Sequence, residues 1–208
     1  TGAGVGAGPF HSQSNEAWFF HTPGLKIVYP SNPEDAKGLM IAAIEDPNPV
    51  MIFEHKALYR SITGNVSEDY YTTPIGKAKL EQIGEDLSII TYGMGVHWAM
   101  NASEELGLQD KIEVIDLRTL FPLDEETIMK SVKKTGKCLV LTEESKDNSF
   151  AQALSGKIQE HCFKFLDAPV MTLGSENIPA IPLNSTLEQT MIPSTKKVKE
   201  KIQEMLNY

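Results

Sequence analysis

Between residues 77 and 208 the chain repeats one pattern, a short run of β-prone apolar residues followed by a segment with helical spacing. The apolar runs are Leu87–Tyr92, Ile112–Ile115, Cys138–Thr142 and Val170–Leu173. Near-continuous hydrophobic runs are what strands covered on both faces require, and helices between them supply the cover. The pattern therefore predicts a mostly parallel sheet with helices on both faces. Gly93-Met94-Gly95 turns into a helix ending near Gly107, and Asp124 caps a helix running to about Thr135. Residues 150–165 read as largely helical, and a last helix starts after Pro193-Ser194 and ends at Leu206.

The first 60 residues follow the same grammar less completely. His11 to His21 predicts a helix stopped by Pro23-Gly24, and Leu25–Tyr29 predicts a buried strand. Ser31 or Asn32, Pro33 and the acids Glu34 and Asp35 open a helix over 34–44, since a cap, a pre-set φ and negative charge all suit its first turn. Pro47 and Pro49 end it, and Val50–Phe53 is a second strand. Residues 61–76, with Gly64, Pro74 and Gly76 and no period, form a linker. The expected organisation is 1–60, the tail of one α/β domain; 61–76, the linker; and 77–208, a complete smaller α/β domain.

Composition narrows the function classes. A net charge of −9 excludes nucleic acid as the main partner, because phosphate neutralisation needs basic surface. The lysines at 196, 197, 199 and 201 share a helical pattern and read as a solvated face. No apolar run approaches the ~18–20 residues of a membrane span, and the opening residues have neither the basic start nor the apolar core of a signal peptide. Cys138 and Cys162 lie in hydrophobic segments, so buried reduced thiols and a cytoplasmic location are expected. The opening Thr-Gly-Ala-Gly-Val-Gly-Ala-Gly-Pro lacks the spacing and the preceding strand of a dinucleotide fingerprint. It reads as a flexible loop, or a loop near a cofactor, in a fragment of a longer polypeptide.

The informative stretches come in a fixed order. Gly8-Pro9-Phe10-His11-Ser12-Gln13-Ser14 is followed by Glu16-Ala17-Trp18, Pro23-Gly24-Leu25-Lys26-Ile27-Val28 and Asp35-Ala36-Lys37-Gly38-Leu39. Then come Ala43-Ile44-Glu45-Asp46-Pro47-Asn48-Pro49-Val50, Phe53-Glu54-His55-Lys56 and Leu58-Tyr59-Arg60. The second half has Val114-Ile115-Asp116-Leu117-Arg118-Thr119-Leu120, Pro122-Leu123-Asp124 and Leu166-Asp167-Ala168-Pro169-Val170. This ordered set resembles the beta chain of the thiamine-diphosphate-dependent 2-oxo acid dehydrogenases, in the transketolase-like superfamily. The His-Ser-Gln-Ser run and Phe-Glu-x-Lys-x-Leu-Tyr-Arg look closer to the branched-chain, 2-oxoisovalerate type.

The resemblance implies an α/β fold. Residues 1–60 would be the C-terminal part of a three-layer pyrimidine-binding domain, and 77–208 a complete transketolase C-terminal-type domain with a mostly parallel sheet. It implies decarboxylation of a 2-oxo acid and transfer of the acyl group to lipoyl. Expected partners are an alpha chain or alpha half and a second beta chain in a heterotetramer, with a lipoyl domain and acyltransferase core. Thiamine diphosphate and magnesium belong to the intact assembly, and neither is expected to bind tightly here. No position is assigned to the cofactor, whose activating glutamate falls upstream of Thr1 in the family, and residues 1–208 alone are expected to be inactive.

His11 is the candidate catalytic residue. An imidazole exchanges a proton near neutrality, and the implied chemistry asks for this twice, at the former keto oxygen and at the sulfur released from a lipoyl disulfide. Read without the resemblance, His11 equally serves as a cap or borders a loop. Ser12 and Gln13 are candidate substrate-lining groups or simple N-caps. His21, His55, His97 and His161 lack a comparable context and read as structural or exposed.

Ala43, Ile44, Asp46 and Asn48 are a candidate cation site. A helix end presents unpaired carbonyls, and Asp46 and Asn48 add the oxygens a hard cation prefers. The bland alternative is an ordinary helix C-terminus; the resemblance implies potassium. Asp116 and Arg118 read as an interface or ligand loop, or an internal salt bridge, and Glu143-Glu144 as a charged interface loop. Lys146-Asp147-Asn148-Ser149-Phe150 departs from the family's glycine-rich stretch. Two other readings stand beside this one: a transketolase or deoxyxylulose-phosphate synthase, whose matching loop favours His followed directly by Gln, and a non-catalytic subunit-assembly module.

Overall fold

A computed structural model describes all of residues 1–208. The first part runs α1 (Gly8–His11), α2 (Glu16–Phe19), β1 (Lys26–Val28), α3 (Pro33–Glu45), β2 (Val50–Ile52) and α4 (Leu58–Ser61). The second runs β3 (Lys79–Gln82), β4 (Leu87–Thr91), α5 (Met94–Leu106), β5 (Ile112–Asp116), β6 (Thr119–Phe121), α6 (Glu125–Thr135) and β7 (Cys138–Ser145). It continues with α7 (Phe150–Cys162), a 3₁₀ turn at Phe163–Phe165, β8 (Met171–Ser175), α8 (Ser185–Met191) and α9 (Thr195–Leu206).

The second sheet has the order β3-β5-β4-β7-β8, parallel throughout except for the antiparallel edge β3. Its three central strands, β4, β5 and β7, are buried on both faces, and the period of two sorts their side chains into two cores. Leu87, Ile89, Ile112, Val114, Leu139 and Leu141 meet Ala99 and Ala102 of α5 and Val198, Ile202 and Met205 of α9. The alternate residues Ile90, Ile115, Cys138 and Val140 meet Ile128 and Val132 of α6 and Leu154 and Ile158 of α7. Each such Leu, Ile or Val, fully buried, contributes about 1.5–3 kcal/mol. On α9 the buried positions repeat at helical spacing, which leaves its lysines outward. Lys199 pairs with Glu105 at 2.8 Å, while Lys197 reaches the carbonyls of Thr190 and Ile192.

The first sheet has the order β2-β1-β6. β1 and β2 are parallel across α3, whose N-cap Asn32 accepts from the Asp35 amide at 2.8 Å. The third strand comes from the other half of the chain: Thr119–Phe121 lies antiparallel to β1. The link continues at Tyr29, whose amide donates to the Arg118 carbonyl at 2.8 Å. Ile27, Tyr29 and Phe53 then join the same core as Ile90, Ile115 and Phe150. One sheet and one core thus span the linker. At the turn into α5, Gly93 has φ +55°, and a Cβ there would run into the Tyr29 ring.

Three sequence expectations are corrected. The single helix over 11–21 is two short turns parted at Ser12–Asn15, where the Gln13 side chain takes the Pro9 carbonyl that a continuing helix would bond through the Gln13 amide. β3 and β6 were not foreseen: one is a half-exposed edge, and both are too short to carry a period. α8 was also missed, in a segment with little apolar periodicity.

Candidate functional site

His11 ends α1, a single turn opened by Gly8 and Pro9. Proline pre-sets φ for a first turn and gives up no needed donor. The turn is closed by the Ser12 amide on the Gly8 carbonyl at 3.1 Å and by the Gln13 side-chain amide on the Pro9 carbonyl at 2.6 Å. α2 is fastened to the core by its aromatics: Phe19 sits edge-on to Phe53 at 5.7 Å and Phe20 stacks on Phe150 at 4.8 Å. His11 itself is exposed, and its sequence neighbours Phe10 and Trp18 are 83% and 72% exposed.

Ser12 and Gln13 turn the other way. They line a cavity of about 320 Å³ with Trp18, Glu143, Glu144 and Ser175. Ser12 is 1% exposed, and its hydroxyl has no hydrogen-bond partner. The Gln13 amide group is committed to Pro9. The structure therefore places His11 on an open face, with Ser12 and Gln13 beneath it.

Glu143 and Glu144 are not an interface loop. They are buried at the end of β7 and point into the first half of the chain. Glu143 accepts from the Ala3 amide at 2.6 Å and pairs with His55 Nε2 at 2.6 Å. Glu144 accepts from the amides of Ala17, at 2.9 Å, and Phe150, at 3.0 Å. Burial pushes the Glu144 carboxyl up, and these two donors work against that rise. Glu16 is 1% exposed and has one oxygen without a partner. Burial, reinforced by the nearby Glu144 charge, pushes it up to about 8. The glycine-rich opening is thus held by carboxylates and is not a free loop: Ala3 rests on Glu143, and the Gly6 amide donates to Glu188 at 3.1 Å. His55, Glu143 and Glu188 carry no local motif, and only the fold brings them together.

Asp116 and Arg118 form an internal network. The Asp116 carboxylate accepts from the Ser31 hydroxyl and, at 3.0 Å, from the Arg118 amide. Burial pushes Asp116 up to about 7, with the Ser31 hydroxyl opposing. The Arg118 guanidinium pairs with Asp35 at 3.0 Å and reaches the Lys77 carbonyl, which ties the start of the second domain to α3. Asp35, Glu81 and Asp116 cluster closely enough for a metal ion, but Arg118 already supplies positive charge to Asp35. Both cysteines are free and buried, and burial pushes the Cys138 thiol well up, which makes it unreactive.

Residues 76–198 match the family described as Transketolase, C-terminal domain, and residues 1–61 match Transketolase, pyrimidine binding domain. The chain belongs to the transketolase-like family. The 2-oxoisovalerate dehydrogenase subunit beta of Bacillus subtilis is 46% identical over 100% of this chain and 64% of its own length. The pyruvate dehydrogenase E1 component subunit beta of the same organism is 41% identical, over 100% of this chain and 63% of its own length. The acetoin:2,6-dichlorophenolindophenol oxidoreductase subunit beta of Cupriavidus necator is 41% identical, over 95% of this chain and 58% of its own length. The chain thus spans less than two thirds of each of these relatives, between 58% and 64% of their length. A solved split-gene transketolase, described as an inactive beta4 tetramer, superposes with a TM-score of 0.75 over 99% of this chain and 64% of its own. At 20% identity it shows the fold alone.

The transketolase-like chain tests its family's groups in two places. Near His11 the adjoining cavity is lined by Glu143, Glu144 and Glu176, which repel a diphosphate. Nothing lining this cavity would hold a diphosphate. At the end of α3 the carbonyl of Ala43 would take the amide of residue 47, which is proline, and that of Ile44 the Asn48 amide, which turns to Asp46 at 2.9 Å instead. Both carbonyls are left for another partner, as a potassium ion requires. The Asp46 carboxylate is already engaged: Lys26 and the Asn48 donors hold it down to about 2. Asp46 and Asn48 therefore shape the turn, and the oxygens left open here are the main-chain ones of Ala43 and Ile44.

No helix is long and apolar enough to cross a membrane.

Proposed function

We propose that this chain is part of the beta chain of a thiamine-diphosphate-dependent 2-oxo acid dehydrogenase, with a branched-chain 2-oxo acid as substrate and a lipoyl group as acyl acceptor. The carrying observation is His11: an exposed imidazole on a short turn whose backbone is tied into two domains. Bound thiamine diphosphate, with its magnesium, supplies the electron sink for loss of carbon dioxide. His11 holds a proton at the former keto oxygen and delivers one to the departing lipoyl sulfur, a role that typically contributes about 10²–10⁴-fold. Ser12 and Gln13 support the turn from below and border the substrate side. Phe10 and Trp18 offer the apolar surface that an alpha chain or alpha half covers, excluding water from the reaction. A second beta chain and the acyltransferase core complete the assembly, and the two reduced, buried cysteines support a cytoplasmic location for it. Ala43 and Ile44 hold potassium through their carbonyls, with Asp46 and Asn48 closing the loop.

The diphosphate has no cationic cradle beside His11, so residues 1–208 alone are expected to show no decarboxylase activity. The deciding experiment is a panel of 2-oxo acids on the intact assembly, with His11→Ala beside the parent. The reading expects turnover of branched-chain acids and a fall of at least about 100-fold in acyl transfer for the variant. Full transfer by His11→Ala, or a preference for sugar phosphates, refutes it.

A further inference from the structure

We infer that Glu188 and Glu143 are positioning residues for His11, holding the glycine-rich segment that leads into its turn. The inference rests on the role proposed for His11. Both carboxylates come from the C-terminal half, and each receives a backbone amide from the opening segment: Ala3 to Glu143 at 2.6 Å and Gly6 to Glu188 at 3.1 Å. On the other flank of His11, Ala17 donates to Glu144 at 2.9 Å. The backbone is therefore tied before and after the imidazole, and the imidazole belongs to neither tie.

Glu143 is itself aimed. His55 Nδ1 accepts from the Ala57 amide at 3.2 Å, so the ring carries its proton on Nε2 and donates it to the second oxygen of Glu143. Gly2 lies directly against that ring: its φ is +94°, and a Cβ there would overlap the imidazole. Gly4, Gly6 and Gly8 also have positive φ. A segment this permissive has high conformational entropy in isolation, and hydrogen bonds that its amides donate to buried carboxylates can select one conformation of it. Proton transfer needs such selection, since a displacement of about 1 Å at a catalytic group can cost about 100-fold in rate.

Glu188 offers the clean test. One of its oxygens accepts from Gly6 and the other is buried with no partner. Glu188→Gln keeps the acceptor, whereas Glu188→Ala removes it. In the intact assembly, Glu188→Ala is expected to lower kcat for acyl transfer to a lipoyl domain about 10- to 100-fold, with KM for the 2-oxo acid unchanged within about twofold. Glu188→Gln should return to the parental rate. Hydrogen exchange across residues 1–10 should quicken in Glu188→Ala and Glu143→Ala but not in Glu188→Gln. If either alanine variant fails to assemble, the remaining one and the exchange comparison decide the matter. Parental kcat and parental exchange in Glu188→Ala, beside a His11→Ala enzyme that has lost transfer, would overturn the positioning role and leave His11 standing. A His11→Ala enzyme at parental rate would remove both.

Discussion

Replacing Glu16 by glutamine should stabilise the protein, and by an amount that grows with pH. Glu16 is 1% exposed, and burial, with Glu144 and Glu143 adding like charge, pushes its carboxyl from 4.5 to about 8. As pH rises past 4.5 the unfolded chain releases this proton while the folded chain keeps it. The unfolded state therefore gains, and stability falls on this account up to about pH 8, then levels off. Each pH unit in that window is worth roughly 1.4 kcal/mol. The full window of about three and a half units amounts to something on the order of 5 kcal/mol, and about 3 kcal/mol is already lost at pH 7. Glutamine has the same shape and no proton to lose, so the variant escapes the decline. The assay is urea unfolding of parent and Glu16→Gln at pH 5, 7 and 8.5. Working with the difference between the two proteins cancels the titration of shared groups. The advantage of the variant should be small at pH 5 and several kcal/mol at pH 8.5. A difference that stays the same across the three pH values would show that Glu16 is solvated or ionised in the folded protein, and would refute the buried-carboxyl argument.

Two further outcomes follow from the site. Arg118→Met leaves the buried Asp35 carboxylate without its cation, with only Asn32 and Thr73 as donors, and frees the Lys77 carbonyl, so it should cost about 3–5 kcal/mol in chemical denaturation; a change under about 0.5 kcal/mol would mean that the pair is solvated. Potassium should raise the unfolding temperature of the intact assembly relative to lithium at equal ionic strength; identical melting in the two salts would argue against an ion at the Ala43 and Ile44 carbonyls.

The amino-acid sequence by itself determined the core of this protein. The apolar runs at Leu87, Ile112 and Cys138 have enough β-prone length to be strands, and Asp124, Asn32 and Ser194 cap helices in the expected places, because capping and periodicity act over a few residues. The His11 turn was legible as a motif for the same reason. Only the tertiary structure decided what surrounds it. His55 read as structural or exposed and Glu143-Glu144 as a charged interface loop, yet the end of β7 carries Glu143 under the opening segment and Glu144 under the Ala17 turn. The short strand Thr119–Phe121 passed unnoticed, although it completes the first sheet and binds the two halves together. These partners lie far apart along the chain, and burial of a charged group becomes worthwhile only once folding brings a donor to it. No local pattern can encode such a meeting, so hydrogen bonds of this kind become visible only when the packed domains are.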